Sequence, residues 1–334
     1  MTGRVLVTGG SGFVGGALVA RLTADDRDVR ALARSEGAAA AVAGAGARPV
    51  SGDLLDPVSL ATAMRGCDLV FHAGGVNAMC LRDPAAMLRA NVEGSANVVR
   101  AAAAAGVGRV VHTSSAATIG EAHGTIGRED SSHRGWFLSR YEESKFRAER
   151  GVLALGRELD IEVVCVNPSS VQGPGRSGGS ARLLLDLLRG RLPVVDTFVS
   201  IVDVADCAEG HLLAADDGAP GERYLLSGAT LHTRHAVALL RAETGRPHRV
   251  RRLPRAGVLA AGALGSAARV VTHRELSICA ELARTLLHGH RYDGSRAVRE
   301  LGLAYTPIGD TIRRTVAWYR REGHLPAEET RTSR

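Results

Sequence analysis

The sequence predicts an α/β chain, a doubly wound parallel sheet joined to a smaller, mostly helical C-terminal lobe. Three observations predict it. A short apolar strand at Val5–Val7 breaks into a glycine-rich turn and resumes as a helix at Ala17–Leu22. Apolar, β-branched runs then alternate with helical segments through the first half of the chain. Beyond about the middle, helical spacing dominates, around 181–188, 232–244, 274–287 and 310–321. Together these describe a Rossmann-type sheet with a separate lobe beside it.

The first element sets the rest. Glycines fall as Gly9-x-x-Gly12-x-x-Gly15 directly after the strand. Such a turn lets the backbone approach a pyrophosphate, while the helix start aims N–H groups at its charge. Val29–Ala33 reads as the second strand. Where an NAD site carries an acid at this strand's end, the chain has Ala33 followed by Arg34. A guanidinium grips an extra phosphate that a carboxylate would repel. The expected cofactor is therefore NADPH, with Arg34 as the phosphate clamp and NAD as the alternative.

Glu36–Ala47 is an alanine-rich helix or loop, and Arg48–Ser51 the third strand. In Gly52-Asp53-Leu54-Leu55-Asp56, an acid and a leucine can cap an adenine, and an Asp can cap the helix starting at Pro57. Asp53 and Asp56 divide these two roles. Leu69–His72 is the fourth strand, after which Ala73 and Gly74 let the backbone pass close to the cofactor. Pro84–Ala105 reads as one long helix containing Asn91, and Arg109–Ser115 as the fifth strand. Ligands of such sheets sit at the carboxyl ends of the strands, which is where Ser114 and Ser115 fall. Tyr141 and Lys145, four residues apart in a helical segment, share one face. A neighbouring cation lowers a phenol's pKa and eases proton exchange.

With these residues in order, the chain resembles an extended short-chain dehydrogenase/reductase. The motifs are TGGSGFVG at Thr8–Gly15, GDLLD at Gly52–Asp56, NVEG at Asn91–Gly94, TSSAA at Thr113–Ala117 and YEESK at Tyr141–Lys145. NPSSVQGPG at Asn167–Gly175 and FVSIVDVAD at Phe198–Asp206 continue the likeness. It is most similar to the dihydroflavonol-4-reductase-like and aldehyde-reductase-like branch. The resemblance implies that Phe13 and Val14 join the glycines in holding the cofactor, and that Pro168 and Val171 line its nicotinamide. It implies Tyr141 as general acid, Lys145 as the group that tunes it and bonds the nicotinamide ribose, and Asn91 as an ordering residue. Ser115 would hold the carbonyl oxygen, with Ser114 as the alternative one residue away. The implied activity is NADPH-dependent reduction of a small-molecule ketone or aldehyde. The alternatives are a nucleotide-sugar epimerase or dehydratase with tightly held NAD, and a non-catalytic NADP-sensing protein. A homodimer is expected of the family. Two departures bear on the substrate: Ser200–Val204 lacks a histidine and an acid common in the family, and Val76–Asp83 is idiosyncratic.

The expected boundaries are a dinucleotide-binding domain at 1–170, to which 198–228 returns, a substrate lobe at 171–197 and 229–322, and a tail at 323–334. The net charge of +7 comes from 42 basic and 35 acidic residues, dispersed and poor in aromatics. That composition argues against nucleic acid. The clusters Arg246–Arg255 and Arg313–Arg321 read as solvated surface. Leu253–Val271 is too polar for a membrane span. Five scattered cysteines without a C-x-x-C pair argue against a disulfide framework, and with the absence of a signal peptide they suggest a cytoplasmic protein. His232, His235, His288 and His290 show no metal spacing, so no metal is expected.

Overall fold

Val5 and Val7 point to one face of the central sheet and Leu6 to the other, and each meets a separate core. On the first face they pack with Leu18, Val19, Phe71, Val166 and Tyr224. On the second, Leu6 joins Leu60, Met64, Val70, Val98 and Val110. Burial on both sides explains why these strands are short, unbroken apolar runs rather than alternating ones. The computed structural model describes residues 3–190, 194–244, 252–272 and 278–326.

The strands are β1 (Val5–Thr8), β2 (Val29–Ala33), β3 (Arg48–Ser51), β4 (Leu69–His72), β5 (Arg109–Thr113), β6 (Glu162–Pro168), β7 (Ser170–Gln172), β8 (Phe198–Asp203), β9 (Arg223–Leu226) and β10 (Ala229–His232). Seven of them form one sheet in the order β3-β2-β1-β4-β5-β6-β9, and every pairing is parallel. The order reverses between β1 and β4, so a crevice opens at their carboxyl ends. This is the Rossmann-type, doubly wound sheet that the sequence predicts.

The return of 198–228 to that sheet needs correction. Only β9 joins it, as the outer neighbour of β6. With that edge taken, β8 forms a separate three-stranded sheet, parallel to β7 and antiparallel to β10. The expected long helix at 84–105 is also divided. Helical turns at Ala85–Leu88 and Gly94–Ala104 flank a π-helical turn at Arg89–Glu93. π-turns bulge a side chain out of helical register, and here the bulge holds Asn91, which is buried.

The C-terminal lobe carries helices Ser180–Leu188, Thr233–Thr244, Arg255–Thr272, Ala280–His288, Ser295–Leu301 and Ile308–Arg321. Leu185, Leu240, Ile312, Val316 and Tyr319 form its small core. Among the described residues no helix is long and apolar enough to cross a membrane. Most of the basic cluster at 246–255 and of the tail at 323–334 lies outside the described residues.

The cysteine reading is overturned as well. Cys80 and Cys279, 199 positions apart, are joined by a disulfide. Pairing requires only that the fold bring the two together, and spacing along the chain carries no sign of it. Cys67, Cys165 and Cys207 remain buried thiols.

Candidate active site

The glycine turn is built to receive an anion. Gly9 has φ +72°, and a side chain there would run into the Ala73 carbonyl and the Gly74 amide at 2.6 Å. A Cβ at Gly15 would strike the Gly9 carbonyl. Gly12 caps the helix Phe13–Ala24, and no side chain caps its first-turn N–H groups, which leaves them for a ligand. Val14 packs against the core beneath. Arg176, on the loop after β7, stacks its guanidinium 5.8 Å over the Phe13 ring, so that loop reaches across the turn. These features fit a dinucleotide pyrophosphate.

Arg34 follows β2 with its side chain 80% exposed, and its guanidinium lies 4.0 Å from Asp53. Asp53 accepts the Leu55 amide, while Asp56 caps the helix Pro57–Met64 through the Val58 amide. The Leu54 side chain lies beside Gly74, where a Cβ would meet it at 3.1 Å.

A buried hydrogen-bond chain connects this half of the crevice to the other. The Gly74 amide donates to Thr8 Oγ1 at 3.1 Å, and Thr8 Oγ1 lies 2.7 Å from His72 Nδ1. His72 Nε2 reaches Ser95 Oγ at 2.9 Å, and that hydroxyl donates to the Asn91 carbonyl at 2.5 Å. Directions follow from donor counting. Ser95 uses its proton on a carbonyl, so His72 donates from Nε2 and accepts the Thr8 hydroxyl at Nδ1. Burial pulls the His72 pKa down to about 3, with the Lys145 charge adding to the effect, so the ring is neutral. Asn91 continues the chain. Its Oδ1 accepts the Val76 amide, and its Nδ2 donates to the Val76 carbonyl and to Ser144 Oγ.

Ser144 lies on the helix Arg140–Glu158, whose N-cap Ser139 accepts the Glu142 amide. The same helix carries Tyr141 and Lys145. Burial raises the Tyr141 pKa, and the neighbouring Ser115 hydroxyl offsets part of that rise. This is the reverse of the lowering expected from Lys145, because burial favours the neutral phenol. Lys145 Nζ donates to the Thr113 carbonyl at 2.7 Å, and burial pulls its pKa down to about 8. Ser114 and Ser115 part ways here. Ser115 caps the 3-10 turn Ala116–Ile119 and meets Tyr141, whereas the Ser114 hydroxyl is buried with no partner. Asn167 Nδ2 donates to the Ser115 carbonyl at 3.2 Å and so fixes the start of Pro168–Val171 against the site.

Sequence reasoning missed Ser95 and Ser144, whose only local signal was polarity within helical runs; His72 reads from the sequence as packed rather than catalytic, and it is fully buried. Glu121 was missed too. His288 and His290 have no metal spacing of their own, yet the fold brings them to Glu121, their ligand atoms within 4.8 Å of one another.

The chain is similar to known proteins over most of its length. Residues 5–227 match the model of the NAD dependent epimerase/dehydratase family. A putative dihydroflavonol 4-reductase of Synechocystis sp. is 31% identical over 96% of this chain and 96% of its own. A 4-hydroxy-2-methyl-3-oxo-4-farnesyl-3,4-dihydroquinoline-1-oxide ketoreductase of Stigmatella aurantiaca is 34% identical, covering 90% of this chain and 92% of that protein. The crystal structure of gox2253 superimposes with a TM-score of 0.84 at 31% identity, over 96% of this chain and 99% of that one.

Proposed function

The chain belongs to the NAD dependent epimerase/dehydratase family and is an NAD(P)-dependent oxidoreductase of the extended short-chain type; from that premise we propose that it is an NADPH-dependent carbonyl reductase. The observation that carries the reading is Lys145, one helical turn from Tyr141 on the same face, donating to the Thr113 carbonyl at 2.7 Å and so bringing that face to the strand end that carries Ser115. The relatives named as reductases support it.

The residues divide the work. Gly9, Gly12 and Gly15 hold the pyrophosphate, Phe13 and Val14 flank it, Arg34 clamps the ribose phosphate, and Asp53 and Leu54 cap the adenine. Ala73, Gly74, Pro168 and Val171 border the nicotinamide. When bound, the reduced nicotinamide supplies the hydride. Tyr141, kept neutral by burial, donates its proton to the substrate's carbonyl oxygen while Ser115 donates a second hydrogen bond to that atom. The Lys145 ammonium stabilises the phenolate left behind. Asn91 orders the helix through Ser144. The product is the alcohol, and a proton from solvent restores Tyr141.

We include a homodimer in the same proposal. The test is mass spectrometry of the nucleotide released by denaturation, beside exchange of the native protein with NADPH and NADH. Readily exchanging NADP(H) and turnover of a ketone or aldehyde are expected. Stoichiometric NAD that does not exchange would replace this reading with an epimerase or dehydratase.

A further inference from the structure

We propose that Glu121, His288 and His290 form a binding site for a divalent transition-metal ion such as zinc. Two imidazoles and one carboxylate are a donor set that suits such ions, with a fourth position for water or another oxygen. Two atoms of the cluster, Glu121 Oε2 and His288 Nε2, are buried without a hydrogen-bond partner. Buried polar atoms are rarely left so, and one cation between them would engage both. Both side chains are more than nine-tenths buried.

The distances fit coordination. His288 Nε2 stands 3.5 Å from Glu121 Oε1. Ligands at ~2.0–2.1 Å from a tetrahedral zinc lie about 3.4 Å apart. His290 Nδ1 is nearer, 2.7 Å from Oε1. Turning the carboxylate about its soft final torsion presents the unpartnered Oε2 and opens that edge. Tyr292 places its hydroxyl 2.9 Å from His290 Nδ1, within reach of the fourth position.

The backbone holds the three residues in place. Gly289 separates the histidines with φ +70°, a turn that lets both rings converge on Glu121. The His288 carbonyl is 2.9 Å from His123 Nδ1, the His290 carbonyl accepts Ser200 Oγ, and the Glu121 carbonyl accepts Arg134 Nη1. The Arg134 guanidinium pairs with Glu142 rather than with the Glu121 carboxylate. His290 is 19% exposed and provides the way in. A bound ion would couple the segment just after Ser115 to the C-terminal lobe.

The test uses the untagged full chain, stripped with EDTA, incubated with zinc and gel-filtered into metal-free buffer. About one zinc per chain is expected, together with a raised melting temperature. The Glu121→Gln and His288→Gln/His290→Gln variants should each lose more affinity than the ~10–100-fold typical of an outer-shell partner. Cobalt in the unaltered chain should give the intense visible bands of a four- or five-coordinate nitrogen–oxygen site, a readout that does not depend on a variant folding. No retained zinc, zinc retained undiminished by the double variant, or a weak octahedral cobalt spectrum would each overturn the proposal.

Discussion

Asn91 donates its side-chain amide to Ser144 at 2.9 Å, so the π-turn of one helix is fastened to the helix that carries Tyr141 and Lys145. The same side chain makes two bonds to the Val76 backbone at the edge of the idiosyncratic segment. Replacing it with alanine orphans buried donors and acceptors on both sides. Asn91→Ala should cost about 1–3 kcal/mol of stability and lower kcat more than cofactor affinity. Urea unfolding and steady-state kinetics check this, and unchanged kcat would remove Asn91 from the site.

Tyr141→Phe deletes one oxygen and keeps the ring packing. Turnover of a carbonyl substrate should drop by roughly 10²–10⁴-fold, the usual worth of a positioned proton donor. NADPH affinity, read by fluorescence titration, should stay near its original value. Ser115→Ala should lower kcat as well, whereas Ser114→Ala should act through stability, because the Ser114 hydroxyl is buried with no hydrogen-bond partner.

Arg34 is exposed and stands 4.0 Å from Asp53, too far for a firm pair. Its guanidinium is therefore available to a phosphate. Arg34→Ala should weaken NADPH binding by about 10–100-fold, as for loss of a charged hydrogen-bond pair, and leave NADH binding unaltered. Equal losses for both cofactors would locate the extra phosphate elsewhere.

Acid should destabilise the chain through its buried histidines. Burial pulls His72 down to about 3 and His211 down to about 4, and it holds His112 well below its usual value. The folded state thus binds fewer protons than the unfolded chain, whose histidines titrate near 6.5. Their contribution is complete above that pH and is lost as pH falls through about 4 and then 3. Each costs up to ~1.4 kcal/mol per pH unit. Glu142, which burial pushes up to about 7, acts oppositely: its contribution is present below 4.5 and lost as pH rises through about 7. Urea unfolding at about pH 5 and 7 should show that His72→Gln flattens the acid loss and Glu142→Gln steepens it. Parallel pH profiles would sink the assignment.

The elements that were legible are those whose signals are local. Val5–Val7 with its glycine turn, the Ala33-Arg34 ending of β2 and the Tyr141–Lys145 pair each lie within one strand or one turn. What was not legible depends on contacts between distant segments. His72 meets Thr8 across 64 positions, and Glu121 meets His290 across 169. β8 reads as a strand from its own residues, yet its partners were decided by β9 occupying the edge of β6. The direction of the Tyr141 pKa was misjudged for a related reason. Spacing reveals a neighbouring charge but not how deeply the fold buries the phenol.

The disulfide fastens the segment after β4 to the C-terminal helices. Cys80 sits between β4 and the Asn91 turn, Cys279 caps the helix Ala280–His288, and their Cα atoms are 5.6 Å apart. A cross-link that spans 199 positions restricts the unfolded chain far more than the folded one. Reduction therefore removes a restraint that both segments share and lowers the stability of the chain.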